Sequence, residues 1–397
     1  MSKRLFFSVG EPSGDLHAAN LIRALRRLDP SMEARGFGGV KMTQAGFACD
    51  FDLTTMAVIG FAEVLPKLRE FFRIADMAEE VFRSGACDGV VLVDFPGFNW
   101  HIARRAKKYG LPVYYYLPPQ LWAWGGWRVQ KIRKYVDRVL CNLPFEKAWF
   151  ESRGVAVDYV GHPFFDVVES QPLCARFLSQ WKSQGATQVA VLPGSRDHEV
   201  HRIWPLQLEI IRRLHAEFPE VRFMVAALKD QHALWCRSHM REEDRELPIE
   251  VFVGKTSELI ELADCALMKS GSVSMEMMAR TTPCTVLYQC SRSMYAIARL
   301  LTRLKSITLP NMIADATVMP EFLAVGNSTK AVDQATEAMR KLVGDAAARE
   351  SQRSTLEELA RKFARPGASQ RAAEIIYREL GSLSGTSPSS SKRSFAA

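Results

Sequence analysis

Short, almost continuous apolar runs, each ending in a glycine or proline turn and followed by a helical pattern, recur along most of this chain of 397 residues. RLFFSV leads to a helix over about residues 14–28, and MEARGFGG to VKMTQAG. DGVVLVDFPGF leads to NWHIARRAKKYG, LPVYYYLPP to WRVQKIRKYV, and RVLCNL to PFEKAWFESRG, with VDYVGHP closing the series. A strand that is apolar on both faces has to be covered on both, which is the condition of a parallel sheet with helices on each side.

The pattern restarts after VVESQPLC. QVAVLPGSR precedes a helix over about 199–216, and VRFMVAAL precedes another. IEVFVG precedes TSELIELA, CALMKSG precedes SVSMEMMAR, and CTVLYQ follows. The reading is an α/β protein of two doubly wound, Rossmann-like domains, residues 1–165 and 166–350, facing a cleft. Residues 351–380 follow as helices broken at Pro366-Gly367, and the Ser-rich segment 381–397 is expected to be disordered.

Composition removes several classes. There is no run of 18 apolar residues to span a bilayer, and the start MSKRLFFSVGEP is too short in apolar residues for a signal peptide. The eight cysteines are scattered without a C-x-x-C pair or zinc spacing, as expected of reduced, mostly buried thiols in a cytoplasmic protein. The net charge of +8 suits nucleic acid, phosphorylated substrates or an anionic membrane face, or simply aids solubility. No nucleic-acid motif accompanies it. The stretch 58–74, VIGFAEVLPKLREFFRI, sets an apolar face against Lys67, Arg69 and Arg73, the composition of a membrane-surface segment or of a core-facing helix.

In doubly wound sheets ligands bind at the carboxyl ends of the strands, and every unusual loop of this sequence falls there. In the second domain, LPGSR places Arg196 at the entry to a helix, where a guanidinium grips phosphate oxygens while helix N–H groups share the load. The alternative is a Ser195 cap with Arg196 on the surface. LMKSGSVSMEMM repeats the arrangement: Ser270-Gly271-Ser272 open a helix, and Glu276 one turn in suits a ribose diol or simply the helix dipole. Together the two loops suggest a nucleotide diphosphate.

In the first domain, GEPSGD opens a helix after a strand and brings Ser13 and Gly14 to the ligand side. Asp94 ends the strand of LVDFPGFN, where a carboxylate is costly unless paired or functional. It is a candidate general base, or else it satisfies the turn's own N–H groups. Asn99 is read as the cap of the next helix. His162 lies at the domain junction as ligand or core histidine. Trp122 and Trp124, in YYYLPPQLWAWGGW, suit stacking on sugars, an acyl groove, or packing under a loop.

Taken in order, GEPSGD, DFPGFN, PQLWAW, LPFEKAWF, GHP, LPGSR, SGS with Glu276, and LPNMIA resemble the lipid-A-disaccharide synthases over about residues 4–380. The resemblance implies a GT-B glycosyltransferase fold whose C-terminal helices cross back to the first domain. It implies transfer of 2,3-diacylglucosamine from UDP-2,3-diacylglucosamine to 2,3-diacylglucosamine 1-phosphate, with inversion, as a peripheral enzyme on the cytoplasmic face of the inner membrane. No cofactor or metal is implied, and no D-x-D pair stands near the proposed diphosphate site. Arg196 and Ser270-Gly271-Ser272 would then hold the leaving diphosphate, Glu276 the ribose, and Asn311 would line the donor pocket. Asp94 would deprotonate the acceptor, with Glu11 in reserve. The chain departs from the family where Gly97 replaces a second acid and Pro118 a frequent serine. His17 is not part of the family pattern.

Two rivals stand beside this reading. A UDP-sugar epimerase of the same architecture would use the same nucleotide site without a lipid groove, and a non-catalytic nucleotide-sugar or lipid binding protein would show no turnover. A dinucleotide dehydrogenase is disfavoured, because GEPSGD lacks the G-x-G-x-x-G glycines.

Overall fold

The computed structural model describes residues 2–56, 64–182, 185–302 and 305–384. The chain forms two compact units, Met1–Pro163 with Gly367–Ala397, and Phe164–Pro366.

The first unit is built on β1 (Arg4–Val9), β2 (Glu33–Gly38), β3 (Ala48–Asp52), β4 (Gly89–Val93), β5 (Val113–Tyr116), β6 (Arg138–Cys141) and β7 (Val157–Tyr159). All pair in parallel, in the order β3-β2-β1-β4-β5-β6-β7. Successive side chains of a strand point to opposite faces. Phe6, Leu92 and Tyr115 therefore enter a core with Ile74, Phe82 and Ile102. Leu5, Phe7, Val9, Val91 and Tyr116 enter the opposite one with the helix Pro12–Leu28.

That second core is completed from the far end of the sequence. Ala372, Ala373, Ile376 and Leu380 of the helix Ala368–Ser384 join it. Arg138 pairs with Glu379 at 2.6 Å, and the Arg371 Nε donates to the Val160 carbonyl. The preceding helix Ala346–Phe363 instead adds Leu356 and Leu359 to the core of the second unit. Helix continues through residues 381–384, and the remainder of the Ser-rich segment, 385–397, lies outside the described residues.

The second unit carries β8 (Gln188–Leu192), β9 (Arg222–Ala227), β10 (Ile249–Val253), β11 (Cys265–Met268), β12 (Cys284–Cys290) and β13 (Glu321–Val325), parallel in the order β10-β9-β8-β11-β12-β13. Two strands escaped the sequence pattern, β3 and β13. Both are sheet edges. ACDFD carries polar residues, as befits a strand covered less completely than central ones, whereas EFLAV is short and mostly apolar.

The 58–74 stretch divides. Residues 57–63 lie outside the described part, whereas the helix Val64–Arg83 sends Ile74, Ala75, Ala78 and Phe82 into the first core. Asp15, the last residue of GEPSGD, is buried and accepts the N–H groups of Gly39, Lys41 and Met42 at 3.0, 2.9 and 3.1 Å, capping the short helix Val40–Gln44. Asp15→Ala should leave these donors without an acceptor and lower stability by about 2 kcal/mol. Urea denaturation of the variant beside the wild type measures it.

Candidate active site

In each unit the strand order reverses between two neighbouring strands, β1 and β4 in the first, β8 and β11 in the second. Loops leaving such a pair diverge and open a crevice at the carboxyl ends.

In the first unit the loop after β4 is strained. Asp94 and Phe95 both adopt left-handed backbone, with φ of 46° and 45°. For residues with a Cβ this costs about 1–2 kcal/mol each. The turn is held from below. The Asn99 Nδ2 donates to the carbonyls of Asp94 (2.7 Å), Val93 (3.3 Å) and Ser8 (3.3 Å), while its Oδ1 accepts from the Ser8 hydroxyl at 2.7 Å. Tyr115 Oη donates to the same Asp94 carbonyl at 2.9 Å. Asn99 is thus not the cap expected from sequence. That position is occupied by Phe95, and Asn99 ties β1 to the β4 turn.

Phe95 in turn lies against Gly10, where any Cβ would meet its ring at 2.3 Å. Burial pushes the Asp94 carboxyl above the usual aspartate range, against the Phe95 N–H that pulls it down. Glu11 is the N-cap residue of the facing helix, Ser13 is exposed on its first turn, and Gly14 is buried against Val9 and Val93. Gly97 has open space where a Cβ would stand.

His162 packs edge-to-face on His17, with ring centroids 6.4 Å apart. Burial, and secondarily the charge of His17, push it down to about 3, so it is neutral at physiological pH. The aromatic loop has an anchor that the sequence did not reveal. Trp122 Nε1 donates to the buried Glu146 Oε1 at 2.9 Å, and the Glu146 Oε2 accepts from the Asn142 and Leu143 N–H groups. Trp122 is partly buried, while Trp124 is 48% exposed with the Arg128 guanidinium 4.0 Å over its ring.

In the second unit, Arg196 is the N-cap residue of the helix Asp197–Glu217. Its side chain is 70% exposed and touches Glu199 at 3.3 Å. The nearly buried Glu199 takes more than Arg196. Its Oε2 accepts the N–H groups of Ser195 and Arg196, and its Oε1 pairs with Lys269 at 2.8 Å. Two of the N–H groups expected to face a phosphate are therefore already used. The positive charge there belongs to the side chains of Arg196 and Lys269. Lys269 was unassigned in sequence, and only the β8–β11 pairing brings it beside this loop.

Ser270 is buried, and Gly271 and Ser272 are exposed ahead of the seven-residue helix Val273–Ala279. Glu276 is buried on that helix and pairs with Arg280 at 3.0 Å. Asn311, expected to line the donor pocket, has its amide engaged by its own turn. It is 1% exposed, its Nδ2 donates to the Met319 carbonyl and Glu321, and its Oδ1 accepts from the N–H groups of Val318 and Met319. Its amide is spent on holding the 316–321 turn.

The arrangement offers a carboxyl of raised basicity on one unit and a pair of cations on the other. No cluster of three potential metal ligands occurs among the described residues.

Solved structures of this fold include an S. aureus MnaA–UDP co-structure, at 14% identity and TM-score 0.65, covering 98% of this chain and 99% of that one. A calicheamicin glycosyltransferase, CalG4, matches at 14% identity and TM-score 0.60, covering 96% and 99%. Two parallel doubly wound units make this an α/β protein of the GT-B type, an architecture that its structural neighbours use as epimerases and as glycosyltransferases. Sequence separates the two. The model of the Lipid-A-disaccharide synthetase family matches residues 5–376, and the chain belongs to that family. Lipid-A-disaccharide synthases of Anaeromyxobacter dehalogenans and Syntrophus aciditrophicus are 35% and 34% identical, covering 95% and 94% of this chain and 97% and 96% of theirs. The chain is accordingly a glycosyltransferase, and the epimerase alternative loses its ground.

Burial pushes the Glu146 carboxyl up to about 7, outweighing its three N–H donors. A carboxyl raised in the folded state favours folding below its unfolded value, near 4.5, and loses that contribution as pH rises to 7. The stability difference between wild type and Glu146→Gln should shift toward the variant from pH 4.5 to 7 and level off above. Urea denaturation at pH 5, 6, 7 and 8 checks this.

Proposed function

We propose that the chain moves 2,3-diacylglucosamine from UDP-2,3-diacylglucosamine to the 6-hydroxyl of 2,3-diacylglucosamine 1-phosphate, giving the β-1,6-linked disaccharide and UDP. The observation that carries the mechanism is the partly buried Asp94 carboxyl, raised above the usual aspartate range by desolvation, on its clamped left-handed turn. Asp94 takes the proton of the acceptor hydroxyl as that oxygen bonds to the donor's anomeric carbon. The bond from that carbon to the diphosphate breaks on the opposite face, which inverts the centre. The electron pair leaves on the diphosphate, where Arg196 and Lys269 offset the developing charge.

On this reading Ser270, Gly271 and Ser272 line the diphosphate, and Glu276 reaches the ribose. Ser13, Gly14, His162, Trp122 and Trp124 sit on the acceptor side. Both substrates carry two acyl chains, which suits an enzyme at a membrane surface, and the family resemblance points to a peripheral protein on the cytoplasmic face of the inner membrane. No helix among the described residues is long and apolar enough to cross a membrane.

The decisive assay mixes purified protein with both substrates in EDTA and seeks the disaccharide by mass spectrometry. Product establishes donor, acceptor and metal independence together, and its absence despite UDP-sugar binding overturns the lipid assignment.

Asp94→Asn should lower turnover about 100-fold or more with donor affinity nearly unchanged. The wild-type rate should rise with pH through a pKa above that of an ordinary aspartate. An unchanged rate in the variant moves the base to Glu11.

Arg196→Ala should weaken UDP binding and turnover together, each by about tenfold or more, because a charge-assisted contact serves ground and transition states alike. Calorimetry with UDP and initial rates separate the two effects.

A further inference from the structure

The helix Arg292–Leu301, RSMYAIARLL, stands on the second unit with no buried residue. Four of the exposed large apolar side chains fall on it: Met294 at 51%, Ile297 at 58%, Leu300 at 84% and Leu301 at 57%. Met294, Ile297 and Leu301 stand at i, i+3 and i+7 and form one stripe, with Leu300 at its flank. Arg292 and Arg299 lie on the other side. Arg292 rests across Gly326, where a Cβ would meet its Nε at 2.7 Å, and Arg299 donates to the Tyr295 hydroxyl at 3.3 Å.

An isolated exposed leucine needs no explanation, but a contiguous stripe does. Charge selects its partner. From Met277 to Ala314 the sequence holds no acidic residue, while Arg292, Arg299, Arg303 and Lys305 fall within 14 positions. Arg303 is placed by sequence alone, outside the described residues. An amphipathic helix with an apolar stripe, cations on its opposite face and no carboxylates fits the boundary between headgroups and acyl chains of an anionic bilayer.

We propose that this helix docks the second unit onto an anionic phospholipid surface. The inference deepens the membrane reading above and rests on it for the choice of partner. Docking there keeps the donor-binding unit beside the bilayer from which acylated sugars come.

The test uses the full chain and vesicles of phosphatidylethanolamine and phosphatidylglycerol, with phosphatidylcholine vesicles as the neutral control. Ile297→Gln, Leu300→Gln and Leu301→Gln are combined, since glutamine keeps helix propensity while removing the apolar stripe. Wild type should co-sediment with the anionic vesicles and far less with the neutral ones. The variant should bind the anionic vesicles at least about tenfold more weakly, with thermal midpoint and UDP affinity unchanged.

Equal binding of the two proteins overturns the proposal, as does a wild type that binds neither vesicle. A wild-type dimer in sedimentation velocity that the variant abolishes, without loss of vesicle binding, overturns it in favour of a second copy of the chain. The vesicles hold no glycolipid substrate. Stripe-dependent binding by a chain that makes no disaccharide would therefore uphold this surface and count against the enzymatic reading alone.

Discussion

One buried carboxamide in each unit holds the place where the strand order reverses. Asn99 joins the carbonyls of Ser8 and Val93 at the ends of β1 and β4. Gln207 does the equivalent for β8 and β11, its Nε2 donating to the carbonyls of Leu192 and Leu267, each at 3.2 Å. At such a reversal the two chains leave in opposite directions, and the amide bridges a carbonyl near the end of each strand, the Leu192 carbonyl also accepting the Lys269 N–H at 2.9 Å. A primary amide carries two N–H donors on one atom, enough to bridge both strands. In the first unit the same amide also reaches Asp94, so the clamp that closes the sheet fixes the strained turn carrying the proposed base.

The electrostatics of the two units are built in opposite senses. The Asp94 carboxyl gains basicity from burial. In the second unit Glu199 holds Arg196 and Lys269 together, two cations that would otherwise repel. Lys269 is pulled inward, with 13% of its side chain exposed, while the Arg196 side chain stays 70% exposed and available to an incoming anion. The cost is that Glu199 occupies two backbone N–H groups of the loop. A diphosphate bound there, as proposed, would meet side-chain charge rather than the helix dipole.

Much of the fold was legible because the central strands are buried on both faces and read as unbroken apolar runs. The edge strand β3 was not, because ACDFD carries polar residues where partial cover permits them; the short edge strand β13, EFLAV, also went unread although it is mostly apolar. The same logic separates the site residues. Asp94 and Arg196 stand out as charges at the ends of apolar strands. Lys269 also follows an apolar strand, but its contact with Glu199, 70 positions away, arises only through the β8–β11 pairing. Glu146, 24 residues from Trp122, looks in sequence like an ordinary acidic residue near a helix start. The Asn311 motif was visible as a motif, but its use, four hydrogen bonds inward, was not.

By itself the sequence determined the two sheets, the order of loops at their carboxyl ends and the family, because apolar periodicity and turn residues are local and survive without coordinates. Tertiary structure decided which of those loop residues are spent on the scaffold. Asn99, Asp15 and Asn311 are polar residues in prominent motifs, and each is consumed by backbone groups brought near only by folding. It also decided that, of the C-terminal helices the resemblance sends back to the first domain, only the last completes the first unit, and that the helix Arg292–Leu301 keeps its apolar stripe in solvent. Hydrogen-bond partners and solvent exposure are properties of position in space. A pattern along the chain fixes only which groups will need them.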